Sequence, residues 1–336
     1  MDTKKILEAG KITSEVRDYA HTIVKKGTPL IEIAEKIESK ILELGGKPAF
    51  PVNTSINEIA AHYTPSHDDK TLASGLIKVD FGVHVDGWTA DNSFSVDLED
   101  SEENKKLITA SEDALNNAIV LIKSKTKVND KNDVSSSIKT ASGQANDFAK
   151  DKSSPQIAEQ DRELGGNNSL TTSDIGKIIQ TTIESHGFSP IINLSGHSME
   201  QYELHAGTTI PNIDDKRNTK LKEGLYAIEP FATTGSGKIR DGKSSGIYNL
   251  QDTKKPRSPI AREVLEFIEK EYNTLPFCSR WIVKKFGTRA LFSLRELEAN
   301  GNLHHFHQLV EVSGNKVSQA EHTILIEKDE VIVTTL

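Results

Sequence analysis

Apolar residues recur at steps of three and four near the start of the chain. Ile6, Ala9, Ile12, Val16, Ala20 and Ile23 would share one face of a helix across residues 3 to 26. Gly27 and Pro29 stop that pattern, and Leu30, Ala34, Ile37, Ile41 and Leu44 resume it up to the terminator Gly45-Gly46. From Leu76 the period falls to two: Ile77, Val79, Phe81, Val83 and Val85 alternate with Lys78, Asp80, Gly82, His84 and Asp86. Asp86-Gly87 is the strongest short hairpin signal in the chain, so a return strand is expected from about Trp88 to Val96. Helical spacing returns over 102 to 123 through Leu107, Ala114, Leu115 and Ala118.

The stretch 126 to 172 breaks this pattern. Only seven of its 47 residues are Leu, Ile, Val or Phe, too few to build a core. It reads as a surface excursion, flexible from Lys150 to Thr172, with at most one short helix near 131 to 149. Ser173-Asp174 then offers an N-cap for a helix ending at Gly187. Strand-like runs follow at 190 to 194 and 224 to 233. Ser258-Pro259 opens another helix through Ile260, Val264, Leu265 and Ile268, and one more spans about 288 to 299. Two helices followed by a hairpin at 302 to 318 suggest a winged-helix-like insert. The closing strands lie at 319 to 326 and 331 to 335.

Composition narrows the function class. With 336 residues, 35% of them hydrophobic, the chain can bury a sizeable core. A net charge of -8 disfavours a general nucleic-acid binder, and no basic helix is visible in the insert. Cys278 is the single cysteine, which precludes an intrachain disulfide and a Cys-based zinc site and reads as a small half-buried hydrophobe. The N-terminal stretch is charged and amphipathic, unlike a signal peptide, and no apolar run has membrane-spanning length. A soluble, cytoplasmic protein is expected.

Candidate chemistry starts in the hairpin. A two-residue turn at Asp86-Gly87 makes the numbers of cross-strand partners sum to 173, so Gly82 faces Asp91 and Asp80 faces Ser93. Asp80 and Asp91 are then diagonal neighbours on one face, where a divalent metal would relieve their repulsion. SGHSMEQYELHAG adds His197 and His205, IEP places Glu229 inside an otherwise apolar strand, and EHTI places Glu321 at the head of another. A carboxylate buried in YAIEPFA needs a cation or good donors. One His, two Asp and two Glu form a hard, oxygen-rich donor set suited to a pair of Mn, Fe, Co or Zn ions. His304, His305 and His307 read instead as a solvated turn of the wing.

The segments KPAFPVNTSINEIAAHYTP, KVDFGVHVDGWTAD, NLSGHSMEQYELHAG, AIEPFATTGSG and EHTILIEKDEVIVTT resemble methionine aminopeptidase type 2, in the short archaeal-like form, in order and across nearly the whole chain. The resemblance implies an α+β pita-bread (creatinase/aminopeptidase) fold. Residues 1–251 and 319–336 would form the catalytic domain and 252–318 the type 2 insert. It implies two divalent ions (Co, Mn, Fe, Zn or Ni), with Asp80 chelating one, Asp91 and Glu321 bridging, and His197 and Glu229 completing the other. It further implies attack by a metal-bridging water on N-termini of nascent chains with a small second residue. Glu229 would shuttle the proton, His205 would bond the scissile carbonyl, and His62 would position the leaving side. Phe50 and Leu204, with His62 and His205, would line the substrate pocket. A monomer with transient ribosome association, no specific nucleic acid and no membrane contact is expected. The competing readings are an Xaa-Pro dipeptidase of the same fold and a non-catalytic pita-bread binding protein, which would lack metal ligands.

Overall fold

The computed structural model describes residues 1–128, 169–328 and 330–336. Helices α1 (Thr3–Ile23) and α2 (Leu30–Glu43) lead through β1 (Lys47–Pro48), β2 (Asn53–Ile56) and β3 (Ile59–Ala61) to the long hairpin β4 (Leu76–Val85) and β5 (Trp88–Asp97). The hairpin turns at Asp86 and Gly87, both at positive φ, and its register pairs Gly82 with Asp91 and Asp80 with Ser93, as the turn chemistry predicts. Alternation divides the two faces of β4. Ile77, Val79, Phe81 and Val83 pack in one core with Ile12, Val16, Ile33 and Ile37 of the helices, leaving Lys78, Asp80 and Gly82 to the other side.

A second α+β half follows the same logic. Helices α3 (Glu102–Val128) and α4 (Thr172–Ser185) cover a sheet face made by β9 (Gly224–Ile228) and β15 (Glu321–Glu327), with Leu107, Ala114, Ile175 and Ile179 against Tyr226, Ile228, Ile324 and Ile326. With β6 (Ser189–Pro190), β7 (Ser195–Met199), β8 (Thr209–Pro211) and β16 (Glu330–Val333) also placed, the main sheet runs β1-β4-β5-β15-β9-β7-β8, with β2 beside β4 and β16 beside β15. The halves therefore share one continuous sheet, joined where β5 pairs with β15.

Two smaller sheets finish the fold. Strands β10 (Phe231–Thr233) and β14 (Val317–Gln319) join β6, while β11 (Ile239–Leu250), β12 (Phe277–Cys278), β13 (Leu303–Glu311) and β3 form the other. Between β11 and β13 lie α5 (Pro259–Tyr272), α6 (Ser279–Phe286) and α7 (Ala290–Ala299), which share a core of Val264, Leu265, Ile268, Phe277, Ile282, Leu294 and Leu297. Among the described residues no helix is long and apolar enough to cross a membrane.

Several expectations need correction. The excursion is shorter than 126 to 172, because α3 continues to Val128 and Leu170 already packs in the second core, its carbonyl accepting from Leu221 N. Residues 129–168, with the expected helix near 131 to 149, lie outside the described residues. The cap of α4 is Thr171, and Asp174 is its reciprocal partner in a capping box. Residues 191–194 do not continue β6 as a strand; the Asn193 amide takes the place of a strand partner, bonding both the N–H and the carbonyl of Ile239. Glu229 sits in a break between β9 and β10 rather than inside a strand, since Pro230 has no N–H for the ladder. Helix α6, carrying Arg280, Lys284 and Lys285 and no acid, is the basic helix missing from the sequence reading. There is no 302–318 wing: β13 pairs with β11 and β3, while β14 joins a different sheet. His304, His305 and His307 accordingly lie on a strand, not in a turn.

Candidate metal centre

Strand register alone assembles the site. Asp80 of β4 pairs with Ser93 of β5, and Ser93 pairs with Glu321 of β15. Because His322 pairs with Ile228, the next position along places Glu229 beside Glu321. Asp80, Ser93, Glu321 and Glu229 thus form one row across four chain segments. Two residues along on the same face come Asp91 and Ala227, and His197 of β7 is the partner of Ala227. All five donors therefore project from one face of the sheet into one cavity of about 250 Å³.

The side chains converge as the backbone dictates. Ligand atoms of Asp91, His197 and Glu321 all lie within 4.8 Å of one another. His197 Nε2 is 3.6 Å from Glu229 Oε1 and 3.8 Å from Asp91 Oδ2. Those gaps exceed a hydrogen bond, and Asp80 Oδ1 and Asp91 Oδ1 are buried without any partner. Burial raises Asp80 to about 7. Burial, and then the neighbouring carboxylates, push Asp91, Glu229 and Glu321 well above the ordinary range. None of the residues lining the cavity is Lys or Arg. Four crowded carboxylates with orphaned oxygens and no cationic side chain fit divalent ions, the commonest way such a cluster is neutralised.

The rest of the lining has two characters. Phe50 and Leu204 supply an apolar wall, extended by Ile247, Pro276, Phe306 and Leu309. His62 and His205 also line the cavity. Enclosure pushes His62 down to about 4 and lowers His205 as well, so both imidazoles are neutral at neutral pH. His62 sits at φ 62° just past β3 with Nδ1 3.1 Å from the His307 carbonyl. A carbonyl can only accept, so the proton resides on Nδ1 and Nε2 is left as an acceptor.

Two polar residues at the centre were missed in the sequence. Gln319 extends Nε2 to within 3.5 Å of Asp80 Oδ2 and 3.4 Å of Glu229 Oε2. Asn53 of β2 pairs with Asp80 and lines the cavity. The available signal for Gln319 was its place two residues before Glu321 on an extended chain; Asn53 had none, since its pairing depends on the register of β2.

Comparison with known proteins agrees with this construction. The model of metallopeptidase family M24 matches residues 4–150. The methionine aminopeptidase of Pyrococcus horikoshii is 40% identical over 340 residues, covering 100% of both chains. The chain belongs to the methionine aminopeptidases. A solved structure of a thermophilic Arx1 has a TM-score of 0.74 at 15% identity, covering 98% of this chain and 90% of that one. The methionine aminopeptidase of Thermotoga maritima has a TM-score of 0.60 at 19% identity, covering 99% and 95%. Their shared architecture is the pita-bread fold, here with its two halves meeting at the β5–β15 pairing. As an M24 methionine aminopeptidase the chain is a hydrolase that uses divalent metal.

Proposed function

We propose that this cavity removes the N-terminal methionine from newly made polypeptides with a small second residue, holding two divalent ions among Asp80, Asp91, His197, Glu229 and Glu321. The observation that carries the reading is the single cavity in which all five donors adjoin an apolar recess. Asp80, Asp91, His197, Glu229 and Glu321 would together hold the ions, with Asp91, His197 and Glu321 already drawn to within 4.8 Å of one another. Co, Mn, Fe, Zn and Ni all match this donor chemistry. Such ions supply Lewis acidity and a water that is nucleophilic at neutral pH.

The protein's own residues do the remainder. Phe50 and Leu204 seat the methionine side chain. Glu229 can take a proton from the attacking water and return it to the leaving amine. Neutral His205 donates to the scissile carbonyl oxygen as charge grows on it. His62, accepting through Nε2, orients the N–H on the leaving side. We assign the helices within 252–318 to the type 2 insert, and expect a cytoplasmic monomer that meets its substrate at the ribosome.

Turnover of Met-Ala-Ser compared with an Xaa-Pro dipeptide, after loading with each metal, tests the reading. Hydrolysis of the dipeptide alone would assign the chain to the dipeptidase reading, and hydrolysis of neither to the binding-protein reading.

Metal uptake should also release protons. Asp80 titrates near 7 and its neighbours are raised, so at pH 6 to 7 the empty cluster retains protons that incoming cations must displace. Affinity should therefore increase as pH rises from 6 to 8. Calorimetry in buffers of different ionisation enthalpy at pH 6.5 should count at least about one proton released per protein; none released would mean that the carboxylates are already ionised.

The recess is testable through a glycine. Gly82 pairs with Asp91 beneath the Phe50 ring, and a Cβ there would sit 2.5 Å from Phe50 Cε1 and 3.0 Å from Ala49 Cβ. Gly82→Ala should drive the Phe50 ring inward and raise KM for methionyl peptides about tenfold with a smaller change in kcat. Unchanged steady-state constants would remove Phe50 from the pocket wall.

A further inference from the structure

Lys78 lies within β4 and is 1% exposed, a rare position for an ammonium group. Among the described residues no carboxylate is in ion-pair reach of it. Its Nζ makes a single hydrogen bond, donating to the Asn57 carbonyl at 2.7 Å. A long cationic side chain answered by one neutral acceptor gives up most of its hydration, and a methionine of similar reach would fill the same space more cheaply. Stability therefore does not account for a lysine here.

Its location does. Register pairs Lys78 with Ser55 of β2 and Ser95 of β5, and alternation puts it on the Asp80 face of β4, two residues away. Asn57 turns the chain from β2 into β3 at φ 51° and is bound to the start of β4, its N–H donating to the Leu76 carbonyl and its Oδ1 accepting from Leu76 N. The Asn57 carbonyl accepts from Val317 N at 3.1 Å as well as from Lys78. At the other end of β14, Ser95 Oγ donates to the Gln319 carbonyl at 2.7 Å and accepts from Gln319 N at 2.9 Å. This short strand is thus fastened at both ends to the layer that carries Asp80. Its last residue, Gln319, reaches toward Asp80 and Glu229, and Glu321 follows two positions later. The pairing of β5 with β15 covers only Ser93 with Glu321 and Asn92 with His322, so the approach of this segment depends on the fastening of β14.

We propose that Lys78 is a positioning residue for the metal cluster, clamping the Asn57 carbonyl and through it the Val317 end of β14, so that Gln319 and Glu321 are held in place against Asp80. The inference rests on the ligand set assigned above. The clamp and Asp80 share one strand, so slack at Asn57 changes the spacing between Asp80 and the segment that delivers Glu321. A displacement of about 1 Å in such a constellation is enough to lower turnover by one to two orders of magnitude.

The test compares full-length wild type, Lys78→Met and Lys78→Ala. Metal-free Lys78→Met should melt at the wild-type temperature or above it. It should nevertheless take up Mn(II) at least about tenfold more weakly by calorimetry, and its kcat for Met-Ala-Ser should fall at least about tenfold. KM should stay within about twofold, because the wall of Phe50 and Leu204 is untouched. Lys78→Ala leaves a gap shaped like propylamine. Added propylamine should raise both the Mn(II) affinity and the kcat of Lys78→Ala at least about threefold, without effect on wild type or on Lys78→Met, whose side chain fills the gap. A lysine that only filled space would give the reverse pattern, a lower melting temperature with activity lost in step with the folded fraction. That pattern, Mn(II) affinity and kcat of Lys78→Met within about twofold of wild type, or equal response of both variants to propylamine would each overturn the proposal. If wild type itself took up no Mn(II), the ligand set would fall and this inference with it; wild-type uptake and turnover beside an unaffected Lys78→Met would sink the inference alone.

Discussion

Glu321→Gln should cut peptide turnover at least about a thousandfold while leaving the metal-free protein as stable as wild type or more so. The two effects come from one cause. Glu321 is 2% exposed and shares its site with Asp91 and His197, so the isosteric amide keeps the packing and deletes one negative charge from a cluster that is short of cations. Without metal that charge is a liability: burial and then Asp91, Glu229 and Asp80 all raise the Glu321 carboxyl, which means that its ionised form is disfavoured by its surroundings. A carboxylate whose folded-state pKa is raised favours folding at low pH and loses that advantage as pH climbs through the ordinary carboxylate range toward the folded value. Removing it therefore relieves strain at neutral pH. With metal the sign inverts, because the missing charge is the one that helps hold the ions. Thermal melts with and without metal should show a higher or equal metal-free midpoint and a smaller metal-induced gain. Turnover within tenfold of wild type in a fully metallated variant would remove Glu321 from the ligand set.

The parts of this site that were legible in the sequence are those that local rules determine. Asp86-Gly87 sets a two-residue turn, the turn sets the register, and the register puts Asp80 and Asp91 on one face with no further information needed. The convergence of His197, Glu229 and Glu321 on that face came only through family resemblance, because it depends on which distant strands pair. Gln319 illustrates the limit: one glutamine in SQAEHT has no spacing signature, and its contact with Asp80 arises 239 residues apart. Helix α6 was hidden for a different reason. It has eight residues and a Trp281-Ile282-Val283 run that reads equally well as strand, and tertiary packing of Ile282 settles the matter. The histidines at 304, 305 and 307 were placed in a turn because they follow a helix and Gly301, whereas the available edge of β11 draws that segment into a strand.

Arg280→Met should destabilise the fold by about 3 to 5 kcal/mol, the largest single-site loss expected outside the apolar cores. Arg280 is 2% exposed and Glu38 7%, and the guanidinium donates to both Glu38 oxygens at 2.7 and 2.8 Å and to the Pro65 carbonyl at 3.0 Å. Methionine fills similar volume but leaves Glu38 buried with only the Trp281 indole N–H and a long contact from Val52 N. The cost therefore lies in the abandoned carboxylate more than in the lost pair. Adding Glu38→Gln to Arg280→Met should accordingly recover more than half of the loss, which urea denaturation of the single and double variants would measure. A single-variant cost below about 1 kcal/mol would show that water reaches Glu38 and that the pair behaves as a surface bridge. The consequence extends to the site, because Arg280 joins three pieces. Glu38 belongs to α2, Pro65 follows the His62 loop, and Arg280 itself begins α6 just after Pro276 of the cavity wall. In the single variant the seat of methionine and the position of His62 should loosen together, so KM should rise even at temperatures where the protein remains folded.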